Sequence, residues 1–207
     1  MRKSPRLVPV LDEAAFIGKG QFHQIFDMHY QELDVKEDLF ETEFNGCRFE
    51  KVSFHQHDFS HVTLIDCVFD HCDLSNVDLS NSCLRRVEFR HCSCIGLDLS
   101  CCAMEDVLFD RTNARLSNLS GSSMKNCEWN ECRFDEASLN DCRIKDHMIN
   151  DCSFILAEFL HTSLNKLDFS TSSIEGIALS GTELKGVIVS PVQAVSLAKL
   201  LGIVIKE

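Results

Sequence analysis

From Leu39 to Leu184 every fifth residue falls in one unbroken series of thirty positions, and all but Cys94 and Ala114 carry a large apolar side chain. A helix face repeats at three and four residues and a half-buried strand at two. A period of five belongs to neither. No insertion or deletion breaks the register over 146 residues. Two places before each of these centres stands a smaller class: Cys47, Val52, Val62, Cys67, Cys72, Val77, Ser82, Val87, Cys92, Cys102 and Val107. The other three positions of the pentad hold nearly all the charge. One large inward residue, one small inward residue and three outward polar ones describe a chain that turns a corner every five residues and stacks on itself.

A second period supports the stacking. Centres twenty apart form one column reading Phe49, Phe69, Phe89, Phe109, Trp129, Ile149, Phe169, and another reading Leu39, Phe59, Leu79, Leu99, Leu119, Leu139, Phe159, Leu179. The aromatics segregate, so residue n is expected to lie over residue n+20, with four pentads per coil. About seven and a half coils at the ~4.8 Å spacing of stacked strands make a rod about 36 Å long. Each coil covers the apolar layer of the next, as in other solenoids.

The rest of the composition acts mainly by exclusion. The 207 residues suit a single domain with ample apolar content (44 %). No apolar run reaches 18 residues and Met1-Arg2-Lys3 leads into no signal-peptide core, so neither a membrane span nor secretion is expected. Nine of the twelve cysteines occupy the small inward slot as filler, which points to reduced thiols and a cytoplasmic location. A net charge of −12 disfavours direct contact with nucleic acid or acidic membrane and suits a basic partner.

Catalytic and metal chemistry find no footing. The pairs at 71–72, 91–92, 92–94 and 101–102 look suggestive, but Cys92 and Cys94 should face inward while His91 and Cys101 face out. Four converging zinc ligands and a C-x₂-C pair are both missing. His57 and His147 fall in small inward slots and are expected to be satisfied core histidines. Gly18-Lys19-Gly20 lacks the remainder of a phosphate loop, and no Gly-x-Ser-x-Gly elbow occurs. The reading is therefore not an enzyme, with no metal and no cofactor.

The ends differ from the middle. Ser190, Pro191 and Gln193 form a capping box with proline at the first helical position, and Gly202 supplies a left-handed stop. Between them only Gln193, Ser196 and Lys199 are polar, so the helix must cover the last coil's core. Its remaining apolar surface, with Ile203-Val204-Ile205, suits a two-fold dimer interface. Residues 1–11, with Pro5 and Pro9, read as an extended or mobile arm. Phe22, Ile25, Phe26, Tyr30 and Leu33 suit either an amphipathic helix or a degenerate first coil.

Charge is unevenly placed. The column built on Leu39, Phe59, Leu79 and Leu99 carries Asp38, Glu41, Asp58, Asp78, Asp98, Asp141 and Glu158 and no Lys or Arg. Asp38, Asp58, Asp78 and Asp98 share one slot, are expected to point to solvent, and should climb at ~4.8 Å intervals, comparable to the ~3.4 Å of phosphates along a DNA strand. The next column, with Arg85, Arg86, Lys125, Arg143, Lys145, Lys166 and Lys185, is roughly balanced by its acids.

The pentads, as in "CDLSNVDLS" and "ASLND", resemble the pentapeptide-repeat family and its A-(D/N)-L-x-x consensus. That resemblance implies an all-β solenoid, a right-handed quadrilateral β-helix, and favours a degenerate first coil over a helix at "FHQIFD". The stretch from Phe159 to Glu207 is similar to the fluoroquinolone-resistance (Qnr-type) branch of Gram-positive bacteria, which ends in repeats, a short dimer-forming helix and an apolar tail. The division expected is an arm at 1–15, a β-helix at 16–189 with regular register over 37–189, and a dimerisation helix and tail at 190–207. The branch binds DNA gyrase and topoisomerase IV as a mimic of duplex DNA, which would make the acidic column the partner surface. It would place Val192, Val195, Leu197, Leu200, Leu201, Ile203 and Ile205 in a homodimer interface, giving a rod of about 70 Å, near two turns of duplex. Projecting loops, which some members use in drug protection, are absent. The alternative is a repeat scaffold for an unrelated protein partner.

Overall fold

The computed structural model describes residues 1–8, 12–13, 24–36, 38–54 and 57–206. The period of twenty is the pairing register. Strands Arg48–Glu50, Val68–Asp70, Glu88–Arg90, Leu108–Asp110, Glu128–Asn130 and Met148–Asn150 stack in parallel, each residue over the one twenty before it. A second parallel sheet runs through Glu43–Asn45, Thr63–Ile65, Cys83–Arg85, Ala103–Glu105, Ser123–Lys125 and Arg143–Lys145 in the same step. The other two sides of each coil meet through single bridges, such as Ser53, Asp73, Ser93 and Asn113 on one and Asp58, Asp78, Asp98 and Asn118 on the other. About six turns thus carry regular strands. Above them the rod continues by bridges alone, as far as Asp168 with Ile188.

The corner is a backbone device. The residue two past a centre sits at positive φ, about 50–60° in Glu41, His61, Asp66, Arg86, Asp106, Leu116 and Leu156. For a non-glycine residue this costs about 1–2 kcal/mol. The cost is offset because the freed N–H donates to the next coil: Arg86 to the Glu105 carbonyl at 2.9 Å, Asp106 to Lys125 at 3.0 Å, Leu116 to Asp135 at 3.0 Å.

Inside, the large centres are buried along the whole rod, with Ile144, Leu179 and Leu184 partly so near the upper end. Tyr30, Phe49, Phe69, Phe89 and Phe109 stack with centroids 4.6–5.1 Å apart. The small slot is more than filler. Its thiols and hydroxyls reach a main-chain carbonyl of the coil below: Cys67 to Phe44, Cys102 to Leu79, Thr112 to Phe89, Ser122 to Leu99, Thr162 to Leu139. A small side chain with a donor is thus satisfied in the slot that Val52, Val62, Val77, Val87 and Val107 fill with apolar bulk alone. All twelve cysteines are free thiols.

Below Leu39 the register shortens by one residue. Gln24–Phe26 and Met28–Gln31 pair with the strands above at a step of nineteen, and Asp12–Glu13 pairs with Met28–His29. Residues 24–31 thus form a degenerate coil rather than a helix. Pro9, Gly18 to Gly20, Phe22 and the division at residues 15/16 lie outside the described residues.

At the other end Pro191–Leu200 is helical, with the Ser190–Gln193 capping box closed in both directions. Gln193 also donates its amide to the Phe169 and Ser172 carbonyls at 2.9 and 2.6 Å, fastening the helix to the last coil. The stop is a Schellman motif: Gly202 at φ 76° and Ile203 donate back to the Lys199 and Ala198 carbonyls.

Candidate functional site

The acidic side is assembled by the fold itself. Asp58, Asp78 and Asp98 are bridged one over the next, and the Asp58 N–H donates to Asp38 Oδ1 at 2.9 Å, so four carboxylates climb one side at coil spacing. Glu41 and Asp141 occupy positive-φ corners of the same side and are exposed. Glu158 is exposed two coils above Asn118 on the bridge series and accepts from Asn140 at 2.9 Å.

One expectation needs correction. Asp58, Asp78 and Asp98 do not simply point to solvent. Each accepts the N–H of the serine two residues on, Ser60, Ser80 and Ser100, at 2.8 Å, closing a turn with one carboxylate oxygen. Asp78 and Asp98 are accordingly half-buried. Asn118 makes the same contact to Ser120 at 3.1 Å, so the turn needs the oxygen and not the charge. Histidines temper the column at two places. His57 Nδ1 lies 3.3 Å from Asp38 and His161 Nδ1 3.2 Å from Asp141. The Asp38 carboxyl is lowered by the Asp58 N–H and then by His57.

His147 departs from expectation. It is buried, with its ring edge-on to Trp129 at 4.1 Å, and neither ring nitrogen has a hydrogen-bond partner. Burial lowers its pKa to about 3, so the ring is neutral. Cys92 and Cys94 are buried and His91 and Cys101 exposed, and among the described residues no three His, Cys, Asp or Glu side chains gather as metal ligands.

The C-terminal apolar set divides. Val192, Val195, Leu200, Leu201, Ile203 and Ile205 are exposed, Val192 at 78 %, whereas Leu197 is 6 % exposed against its own chain's core. Leu197 therefore belongs to the cap and is not presented to a partner.

Two features were not legible in the register. Glu183 falls in an outward slot yet is buried: it accepts the N–H groups of His161, Ser180 and Gly181 at 2.8–3.1 Å and stands in for the coil that is missing above. Burial opposes its charge, but these hydrogen bonds and the Ser180 hydroxyl bring its pKa down to about 2. The second feature is the arm. Residues 1–8 lie against the corner of the mixed-charge column, where Arg2 reaches Glu88, Lys3 Asp106 and Arg6 Asp66.

Comparison with known proteins decides the family. The model of the pentapeptide repeat region matches residues 42–119 and 122–196. The chain is a pentapeptide-repeat protein. Among solved structures it is similar to HetL, a pentapeptide-repeat protein involved in heterocyst differentiation regulation in the cyanobacterium Nostoc sp. strain PCC 7120. That likeness has 17 % identity and a TM-score of 0.52 over 83 % of this chain and 92 % of that one. It is also similar to a trypsin-treated variant of QnrB1, a plasmid-mediated fluoroquinolone resistance protein, at 24 % identity and a TM-score of 0.46 over 88 % and 90 % of the two chains. No curated protein sequence matches. The likeness to HetL agrees with the family match in giving a pentapeptide-repeat solenoid. No helix among the described residues is long and apolar enough to cross a membrane.

Proposed function

We propose that this pentapeptide-repeat protein is a non-catalytic, cytoplasmic mimic of duplex DNA that binds DNA gyrase, and topoisomerase IV as a second target, and modulates their response to fluoroquinolones. The observation that carries the reading is the stacked series Asp38, Asp58, Asp78 and Asp98 on a side without Lys or Arg. Carboxylates at ~4.8 Å intervals along a rigid edge present a basic DNA-binding saddle with a charge density close to that of one phosphate strand. The exposed apolar face of the helix and tail supports a homodimer, which doubles the length of that edge. The Qnr-like C-terminal sequence supports the same partner.

A supercoiling assay with purified gyrase, titrating this protein with and without ciprofloxacin, tests the reading. Either relief of the drug's effect or direct inhibition at micromolar protein is the expected result. Unchanged supercoiling in both arms would favour a scaffold for some other protein.

A further inference from the structure

The N-terminal arm sits over outward acids of the repeat, of which Asp66 is also paired with Arg86 and Glu88 with Arg90. Glu88 and Asp106 occupy outward positions of their pentads, yet they are only 1 % and 2 % exposed, and Asp66 is buried as well. The arm covers them. Arg2 bridges Glu88 at 2.8 Å and Glu128 at 3.4 Å. The Lys3 N–H donates to Asp106 at 3.0 Å and the Arg6 N–H to Asp66 at 2.9 Å. Asp66 is also held by the Arg86 guanidinium through two 2.6 Å contacts. Burial pushes its carboxyl up, but Arg86 and the Arg6 N–H more than offset this, and it stays below the usual carboxylate range.

These contacts follow a metric built into the fold. Asp66 and Asp106 are two coils apart, about 9.6 Å at ~4.8 Å per coil, and one turn of extended polyproline II backbone, three residues at ~3.1 Å, spans about 9.3 Å and brings the N–H back to the same side. The same slot reads Asp27, Gly46, Asp66, Arg86, Asp106, Asn126, Asp146 along the rod, so a carboxylate returns at every second coil. An extended peptide running down this corner meets one carboxylate with every third N–H. The arm engages two of these rungs in that way. Asp27 and Asp146 are exposed, and Pro9, three residues beyond Arg6, has no N–H with which to continue the series.

We propose that this corner is a binding strip for an extended, basic segment of a partner protein, free of proline at the contacting positions, and that residues 1–8 occupy it in cis as a displaceable guard. Recognition is of backbone N–H groups at every third residue, with a guanidinium socket between Glu88 and Glu128. A segment of about ten residues spans four rungs at ~10 Å each against the arm's two, and so displaces the arm. The strip lies on a different column from the acidic side and does not depend on the topoisomerase reading.

The test uses a fluorescein-labelled dodecapeptide of repeating Arg-Ser-Val and fluorescence anisotropy, with no topoisomerase present. Three partners are compared: the unaltered protein, an arm-released variant (Arg2→Glu with Lys3→Pro), and that variant with Asp106→Ala. The released variant should bind at least about tenfold tighter than the unaltered protein, and Asp106→Ala, which removes the acceptor, should reverse about tenfold of that gain. A peptide N-methylated at every third residue should bind worse than its parent. Equal affinity for the unaltered and released proteins, or equal binding of the N-methylated peptide, would overturn the proposal. If the released variant does not fold, hydrogen exchange at the Lys3 and Arg6 amides of the unaltered protein decides. The dodecapeptide should accelerate both, and unchanged exchange at saturating peptide marks the arm as a fixed structural staple.

Discussion

At the residue scale the solenoid is demanding inside and permissive at its corners. Phe109 has the Phe89 ring stacked 4.7 Å away and Phe134 edge-on at 6.0 Å, and shares the core with the small centres Cys94 and Ala114. Phe109→Ala should cost about 3–5 kcal/mol in urea unfolding, because a rod stacked on both sides of the void cannot collapse into it. His147 makes a different demand. Its pKa of about 3 in the folded protein lies below the ~6.5 of an unfolded histidine, so only the unfolded chain takes up a proton as pH falls through 6.5. Stability from this group is intact above pH 6.5 and is lost progressively towards pH 3. His147→Val, the residue type of many equivalent slots, should therefore gain on the parent by about 2 kcal/mol more at pH 5 than at pH 8, at 1.36 kcal/mol per pH unit. Melts at the two pH values measure that difference. A gain independent of pH would mean that the ring is not held neutral.

At the element scale the C-terminal helix has two jobs carried by different residues. Gln193 and Leu197 attach it to the last coil, while Val192, Val195, Leu200 and Leu201 face outward. A dimer is expected by light scattering at micromolar concentration. Leu200→Asp should give folded monomers, since the charge remains hydrated once the partner leaves. Leu197→Asp should instead lower the melting temperature whatever the oligomeric state, because a carboxylate buried without a partner is costly. Monomers of the unaltered chain would leave the helix as a cap only. Glu183 belongs to the same end: its carboxylate supplies acceptors that the missing coil would otherwise provide.

At the scale of the whole molecule the question is how charge on the rod can be altered without altering the rod. Reversal of Asp58, Asp78 and Asp98 to Lys would remove the acceptors of three turns along with the charge. Replacement of all three by Asn keeps the turn oxygen, as Asn118 already does, and removes only the charge. The triple Asn variant should keep its circular dichroism spectrum and lose gyrase binding. Asp106 is unsuitable as a control because it holds the arm, and Glu105 because it pairs with Lys125 at 2.6 Å. Asp151→Lys and Glu175→Lys, exposed on other columns, are better comparators and should bind nearly as the parent does. Binding of the parent should weaken from about 50 to 200 mM salt, the range over which DNA contacts themselves weaken. Duplex DNA should compete. Equal losses in the Asn and comparator variants would remove the acidic side from the function.

The period of five, the period of twenty, the inward and outward slots and the capped helix are all written locally. Every coil repeats the same chemistry on its neighbour, so a short pattern states the whole architecture, down to the column of Asp58, Asp78 and Asp98. The left-handed corners leave no such trace. The N–H that each corner donates to the next coil compensates the strain, and Arg86, Leu116 and Leu156 serve there as well as Asn or Gly. Slots also state only the direction in which a side chain leaves its coil, not what comes to rest upon it. That Leu197 is covered while Leu200 is not, that His147 goes without a partner, and that Glu183 replaces a coil depend on packing at the ends of the stack. The burial of Glu88 and Asp106 depends on an arm more than eighty residues away in the chain. Such contacts join segments that share no repeat, and only the assembled surface brings them together.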